Sequence, residues 1–156
     1  MNFDELYEEY AKDIYRFSFW LCGNNDEAKD ITSETFVKVW KNLGKIRTET
    51  MKGLLLTIAR NIYIDNNRKQ KKWTGLDGLH KTPVSGADKD VENKNQLESI
   101  YHFLDKFPEV DRTAFLLRVE NELPYEEIAN ILQLSVPNAK VKVHRVRKDI
   151  IKKFTS

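Results

Sequence analysis

This sequence predicts an all-α chain, two small helical domains joined by a flexible linker, the second containing a helix-turn-helix. Three observations carry that expectation. Only four Pro and six Gly interrupt 156 residues, too few breaks for many short strands. Apolar residues recur every three or four positions over most of the chain, the spacing of a helix face. One stretch, residues 71–91, loses that period and separates domains of about 1–70 and 92–156.

The elements follow in order. Phe3, Leu6, Tyr7, Tyr10, Ile14, Phe17 and Leu21 make one apolar stripe, so a first helix is predicted there. Gly23-Asn24-Asn25 breaks it, with Asn25 or Asp26 available to cap the next. A second helix from about Asp26 to Leu43 carries Ala28, Ile31, Thr35, Val39 and Trp40 inward. Gly44 to Thr50 reads as a loop, and a third helix runs from about Met51 to Lys69 with Leu55, Ile58, Ala59 and Ile62 on one side. The linker holds three Gly and one Pro, with Trp73, Leu76 and Leu79 as its docking residues. Helical spacing resumes at Leu97, Ile100, Tyr101, Leu104 and Phe107; Pro108 opens a helix to about Val119 and Pro124 a short one to Leu132. A last helix spans about Val136 to Lys153, and no internal repeat is visible. The aromatic residues Tyr7, Tyr10, Tyr15, Phe17, Phe19, Trp20, Phe36 and Trp40 fall at core spacing, and Cys22 reads as a small buried residue.

Net charge is only +2, but it is unevenly spread. Residues 51–72 carry +5 and 140–156 carry +6, whereas 1–50, 73–92 and 93–139 carry −3, −2 and −4. Two compact basic blocks therefore sit in an otherwise acidic chain, each able to attract phosphate locally. No apolar run approaches the roughly 20 residues that span a bilayer, and the acidic amphipathic start is unlike a signal peptide. One cysteine excludes an internal disulfide and a cysteine-rich zinc site. The chain is expected to be cytoplasmic.

The string LPYEEIANILQLSVPNAKVKVHRVRKDI has the layout of a helix-turn-helix. Ile128, Ala129 and Leu132 face inward, a four-residue turn from Gln133 to Val136 follows, and Leu134 plugs the junction. In the last helix Ala139, Val143, Val146 and Ile150 form an inner stripe, while Lys140, Val141, His144, Arg145 and Lys148 face out, with Asn138 at the start. A helix seated in a DNA major groove needs that pairing of apolar back and basic front. Arg forks onto guanine, Lys and His donate to bases or phosphates, and Val141 suits a thymine methyl. An ordinary solvated face is the competing reading. The turn carries Gln133 where many such motifs have Gly, which requires a non-Gly residue at positive φ.

The strings DEAKDITSETFVKVWKNL and LLLTIARNIYIDNNRKQKK, followed by an acidic linker and the EEIA-type helix-turn-helix, resemble the extracytoplasmic-function sigma factors of bacterial RNA polymerase. The resemblance covers about residues 3–152. It implies a factor that binds the polymerase core and directs promoter-specific transcription initiation under envelope or environmental stress. The first domain would then be sigma region 2-like and the second region 4-like. By the same resemblance the second helix binds the polymerase clamp through Asp30, Glu34, Lys38 and Lys41. The third meets the minus-ten element of promoter DNA through Arg60, Asn61, Ile64, Arg68 and Lys69, beside Asn67. The last helix meets the minus-35 element through Asn138, Lys140, Val141, His144, Arg145 and Lys148. The Gly44–Thr50 loop, with Lys45 and Arg47, would help hold a flipped base. Met51-Lys52-Gly53-Leu54 stands where many members carry an aromatic. A membrane-tethered anti-sigma factor is the further partner implied.

No catalytic case arises. His80, His102 and His144 are isolated and lack metal-ligand spacing, and neither a phosphate-binding Gly-rich loop nor a nucleophile elbow is present. Neither metal, cofactor nor small-molecule substrate is expected. The alternatives are a stand-alone helix-turn-helix regulator that dimerises through residues 1–70, and a protein that sequesters another factor.

Overall fold

A computed structural model describes residues 2–42, 50–74 and 91–155, with side chains described except at 71–74 and 91–95. The chain divides into two compact units, Met1–Lys89 and Asp90–Ser156. All regular elements among the described residues are helical.

In the first unit, α1 (Phe3–Cys22), α2 (Asn25–Lys41) and α3 (Met51–Thr74) pack against one another. Their ends are set by local chemistry. The Asn2 side chain accepts the Glu5 N–H at 2.8 Å, and Gly23 ends α1 at φ 70°, a conformation that glycine adopts without a Cβ clash. Asn24, in extended conformation, caps α2 by accepting the Glu27 N–H at 2.8 Å. The cap thus lies one residue before Asn25 and two before Asp26, the expected candidates. Thr50 opens α3 by accepting the Gly53 N–H at 2.9 Å. Ile14, Phe17, Leu21, Ala28, Ile31, Phe36, Leu55 and Leu56 are fully buried, each large side chain contributing roughly 1.5–3 kcal/mol.

Two expectations fail here. Phe17 and Phe36 are buried as foreseen, but Tyr7 and Trp40 are 42% and 47% exposed. Their rings lie on the rim instead: Tyr7 packs on Phe36 at 4.9 Å between centroids and Trp40 meets Phe3 edge-on at 5.6 Å. The other failure is a boundary. α3 runs on to Thr74, through the first residues assigned to the linker, because the basic run after Asn67 consists of good helix formers and no breaker occurs before Gly75. Leu76 and Leu79 lie outside the described residues, as does nearly all of the Gly44–Thr50 loop.

The second unit comprises α4 (Val91–Asp105), α5 (Glu109–Phe115), a π-helical turn (Leu116–Glu120), α6 (Tyr125–Leu132) and α7 (Val136–Thr155). Pro108 and Pro124 stand at the starts of α5 and α6, as their missing N–H allows. The π turn continues the helix that was expected to run to Val119. Its wider ring is closed by the Asn121 backbone N–H, which donates to the Leu116 carbonyl at 3.2 Å, and the Asn121 side chain donates to the same carbonyl at 3.0 Å. Tyr101, Leu104, Ala114, Leu117, Ile128, Ala139, Val143 and Val146 form the core. A buried ion pair joins two helices here: Lys142 Nζ of α7 lies 3.0 Å from Asp111 Oδ1 of α5.

The turn between α6 and α7 occupies Gln133 to Ser135, one residue shorter than expected. Gln133 sits at φ 56°, ψ 50°, and the Leu134 N–H donates to the Ala129 carbonyl at 2.9 Å. Ser135 Oγ accepts the Asn138 N–H at 3.2 Å and opens α7. Gln133→Gly removes the left-handed Cβ penalty of an exposed residue. The variant is expected to gain about 0.5–1 kcal/mol, read as a raised midpoint in thermal unfolding.

Candidate nucleic-acid interface

α7 is amphipathic in the sense its sequence requires. Ala139, Val143 and Val146 are fully buried and Ile150 half-buried, which turns the opposite side outward. Asn138, Lys140, Val141, His144, Arg145 and Lys148 are all exposed, and Val141 is 51% accessible despite its apolar side chain. Five of these six, with Tyr125, line an open groove of about 530 Å³. Asn138 is set at the helix start by Ser135, and Leu134 is half-buried at the junction.

Two contributors to this face lie outside α7 and were not anticipated. The ring of Tyr125, the first residue of α6, lies 5.7 Å from Lys140 Nζ and 4.4 Å from the Arg118 guanidinium. Arg118 comes from the π turn, and its Nη1 also donates to the Leu123 carbonyl at 3.0 Å. One aromatic ring thus steadies a cation from each of two elements. The available signal was the Tyr immediately before Glu126-Glu127; its helical position gave no hint that a ring from the preceding helix would reach α7.

On α3, Leu55, Ile58, Ala59 and Ile62 are buried as expected, and Asn61 and Arg68 are exposed on the opposite side. Arg60 and Ile64 share that side but are half-buried; Asn67 donates to the Tyr63 hydroxyl at 3.4 Å. Lys69 differs. It is exposed, but at about 100° per residue it shares the side of Leu55 and Ile62, beyond the end of their packing. Lys45 and Arg47 lie outside the described residues.

On α2, Asp30, Glu34, Lys38 and Lys41 are all exposed. Glu34 and Lys38 pair at 3.4 Å, a solvated i,i+4 contact worth a few tenths of a kcal/mol at most. Val37 stands among them 46% exposed, an apolar centre to a charged face that sequence reading did not single out. Among the described residues, no group of three or more His, Cys, Asp or Glu is placed to hold a metal ion. No helix among them is long and apolar enough to cross a membrane.

Comparison with known proteins converges on one family. Residues 6–73 match the Sigma-70 region 2 family and residues 97–150 the Sigma-70, region 4 family. The chain is 30% identical over 152 residues to the ECF RNA polymerase sigma factor SigM of Bacillus subtilis, covering 94% of this chain and 91% of SigM. It is 29% identical over 159 residues to the ECF RNA polymerase sigma factor SigE of Mycolicibacterium smegmatis, covering 96% of this chain but only 60% of SigE. The fold resembles that of the sigma factor RpoE in its complex with the anti-sigma factor NepR from Bartonella quintana. There the TM-score is 0.76 at 20% identity, over 96% of this chain and 94% of RpoE. With both sigma regions present in order and a full-length relative at that identity, the chain belongs to the extracytoplasmic-function sigma factors of bacterial RNA polymerase.

Proposed function

We propose that this chain is the promoter-specificity subunit of a cytoplasmic RNA polymerase, recruited under envelope or environmental stress, and that its three outward helix faces divide the work. α7 reads the minus-35 element through Asn138, Lys140, Val141, His144, Arg145 and Lys148. α3 engages the minus-ten element through Arg60, Asn61, Ile64 and Arg68, with Lys69 placed for a flanking phosphate. α2 docks on the polymerase core through Asp30, Glu34, Lys38 and Lys41, around Val37. The domains assigned to these tasks are about 1–70 and 92–156. As a member of its family the chain is an initiation factor, not an enzyme.

The observation that carries this reading is the outward face of α7, where exposed cations surround an exposed valine and a tyrosine-steadied groove. Phosphate contacts there supply affinity and base-edge contacts supply sequence preference. Opening a duplex costs roughly 1.4 kcal/mol per base-pair step, so α3 must recover that cost from the separated strand. An anti-sigma factor is the natural restraint on such a subunit, and the RpoE fold relative was solved with one.

In vitro transcription tests the reading. Core polymerase with genomic DNA is expected to yield new transcript starts only when the chain is added, each preceded by a shared two-part sequence. Tight polymerase-independent binding of a homodimer to one palindromic operator would instead establish the stand-alone regulator.

A further inference from the structure

Away from the exposed faces already described, α1 and α2 leave an open groove of about 590 Å³ along their seam, within the roughly 300–1,000 Å³ of small-molecule sites. The two helices run antiparallel from the corner at Gly23-Asn24: Tyr7 packs on Phe36 far from it, and the Tyr15 hydroxyl bonds Asn25 beside it. The groove therefore has two unlike ends. At the far end stands the Tyr7 ring, 42% exposed and held by Phe3 at 6.2 Å and Phe36 at 4.9 Å. Toward the corner come Arg16 and Lys29, with Lys12 one turn back along α1. From Tyr7 to Arg16 is nine residues, roughly 13 Å of helix.

Lys12, Arg16 and Lys29 are all exposed, and none of them has an ion-pair or hydrogen-bond partner among the described residues. Lys38 and Lys52 in the same unit, by contrast, are matched to Glu34 and Asp13. No acidic residue lines the groove among the described residues, and exposed Ser33 adds a hydroxyl donor. Burial, above all, raises the Tyr15 pKa, so its hydroxyl brings no negative charge. The result is a local positive field in a segment, residues 1–50, of net −3.

A flat ring at one end and three unmatched cations toward the other call for a ligand aromatic at one end and polyanionic at the other. Bases stack on tyrosine, and phosphate oxygens accept charge-assisted bonds from guanidinium and ammonium groups. An extended polyphosphate tail covers the span from Tyr7 to Arg16. The lining offers neither carboxylate nor amide to read a base edge, so it selects for phosphate rather than for base. We propose that this groove binds a nucleoside polyphosphate, its base on the Tyr7 ring and its phosphates on Lys12, Arg16 and Lys29. The site shares no residue with the faces assigned to DNA and polymerase, so it is separable from them by mutation.

Isothermal titration of the full chain in EDTA, with ATP, GTP, adenosine and inorganic tripolyphosphate as ligands, tests this. ATP and GTP are expected to bind a single site with similar affinity that falls as salt rises, and adenosine not to bind. Tripolyphosphate, lacking a base to stack, is expected to bind about tenfold more weakly than ATP. The triple change Lys12→Gln, Arg16→Gln, Lys29→Gln is expected to weaken ATP by about 30-fold or more. Tyr7→Leu is expected to weaken ATP about tenfold and to leave tripolyphosphate as it was. Because the three cations are exposed, the triple variant should melt with the native chain, which separates lost binding from lost fold.

The pair Lys140→Gln, Arg145→Gln on α7 is the control for anion binding at the other basic face and is expected to bind ATP as the native chain does. ATP binding that survives the triple change, or that falls with the α7 pair instead, would overturn the proposal. So would tripolyphosphate binding as tightly as ATP, or no binding at millimolar ATP. A single-stranded oligonucleotide that displaces ATP at far lower concentration through the same three cations would give the groove to nucleic acid, and the proposal would fall.

Discussion

Arg145→Ala is expected to cut promoter-directed transcription by about tenfold to a hundredfold, the loss of one bidentate base contact of roughly 1–3 kcal/mol. Arg145 is exposed and lies on the α7 side opposite Ala139, Val143 and Val146, so removing it leaves the packing of α7 intact. The melting midpoint should therefore stay within error of the native value while run-off transcription falls. Lys148→Ala makes the informative control. A phosphate contact carries no sequence preference, so its loss should weaken all promoters alike and lower the salt dependence of binding by about one unit of slope. Equal transcription by Arg145→Ala and the native chain would remove α7 as the reader of the upstream element.

The second large effect is on stability. Lys142 and Asp111 tie α7 to α5 across 3.0 Å, with the Asp side chain 4% exposed and the Lys side chain 23% exposed. Deleting one member of a buried pair costs about 3–5 kcal/mol because the other charge is stranded. The two deletions should not be equal here. Lys142, left alone, can swing its ammonium toward water, whereas Asp111 cannot follow. Lys142→Met is thus expected to destabilise the second domain by about 3 kcal/mol and Asp111→Asn by clearly less, measured by urea unfolding. Replacing both together should recover much of the loss, since neither charge then remains. A variant in which Lys142→Met unfolds at the native midpoint would show the pair to be incidental.

Much of this was legible in the sequence because helical periodicity is a local property. The stripe from Leu6 to Leu21, and that from Ala139 to Ile150, each predict a buried face that packing then realises. The outward α7 residues were readable for the same reason: knowing which side is buried fixes the other. What escaped depended on neighbours remote in the chain. Trp40 has core spacing within α2, yet it stays 47% exposed and meets the Phe3 ring edge-on. Tyr125 belongs to α6 by sequence and to the α7 groove by geometry, through rings and cations brought together by the turn. Lys69 belonged to a basic run, and a run says nothing of azimuth. The end of α3 escapes for a different reason: a basic helix beyond its packing partners has no apolar period to show.

Cys22 carries a last consequence. It is the chain's single thiol, it is 4% exposed, and its S–H is directed at the Asn24 carbonyl at 3.3 Å, inside the corner where α1 gives way to α2. An alkylating probe can reach that sulfur only when the corner opens, and the second domain offers the probe nothing. The protein therefore carries a native stopwatch for the breathing of one half alone, read without any engineered label.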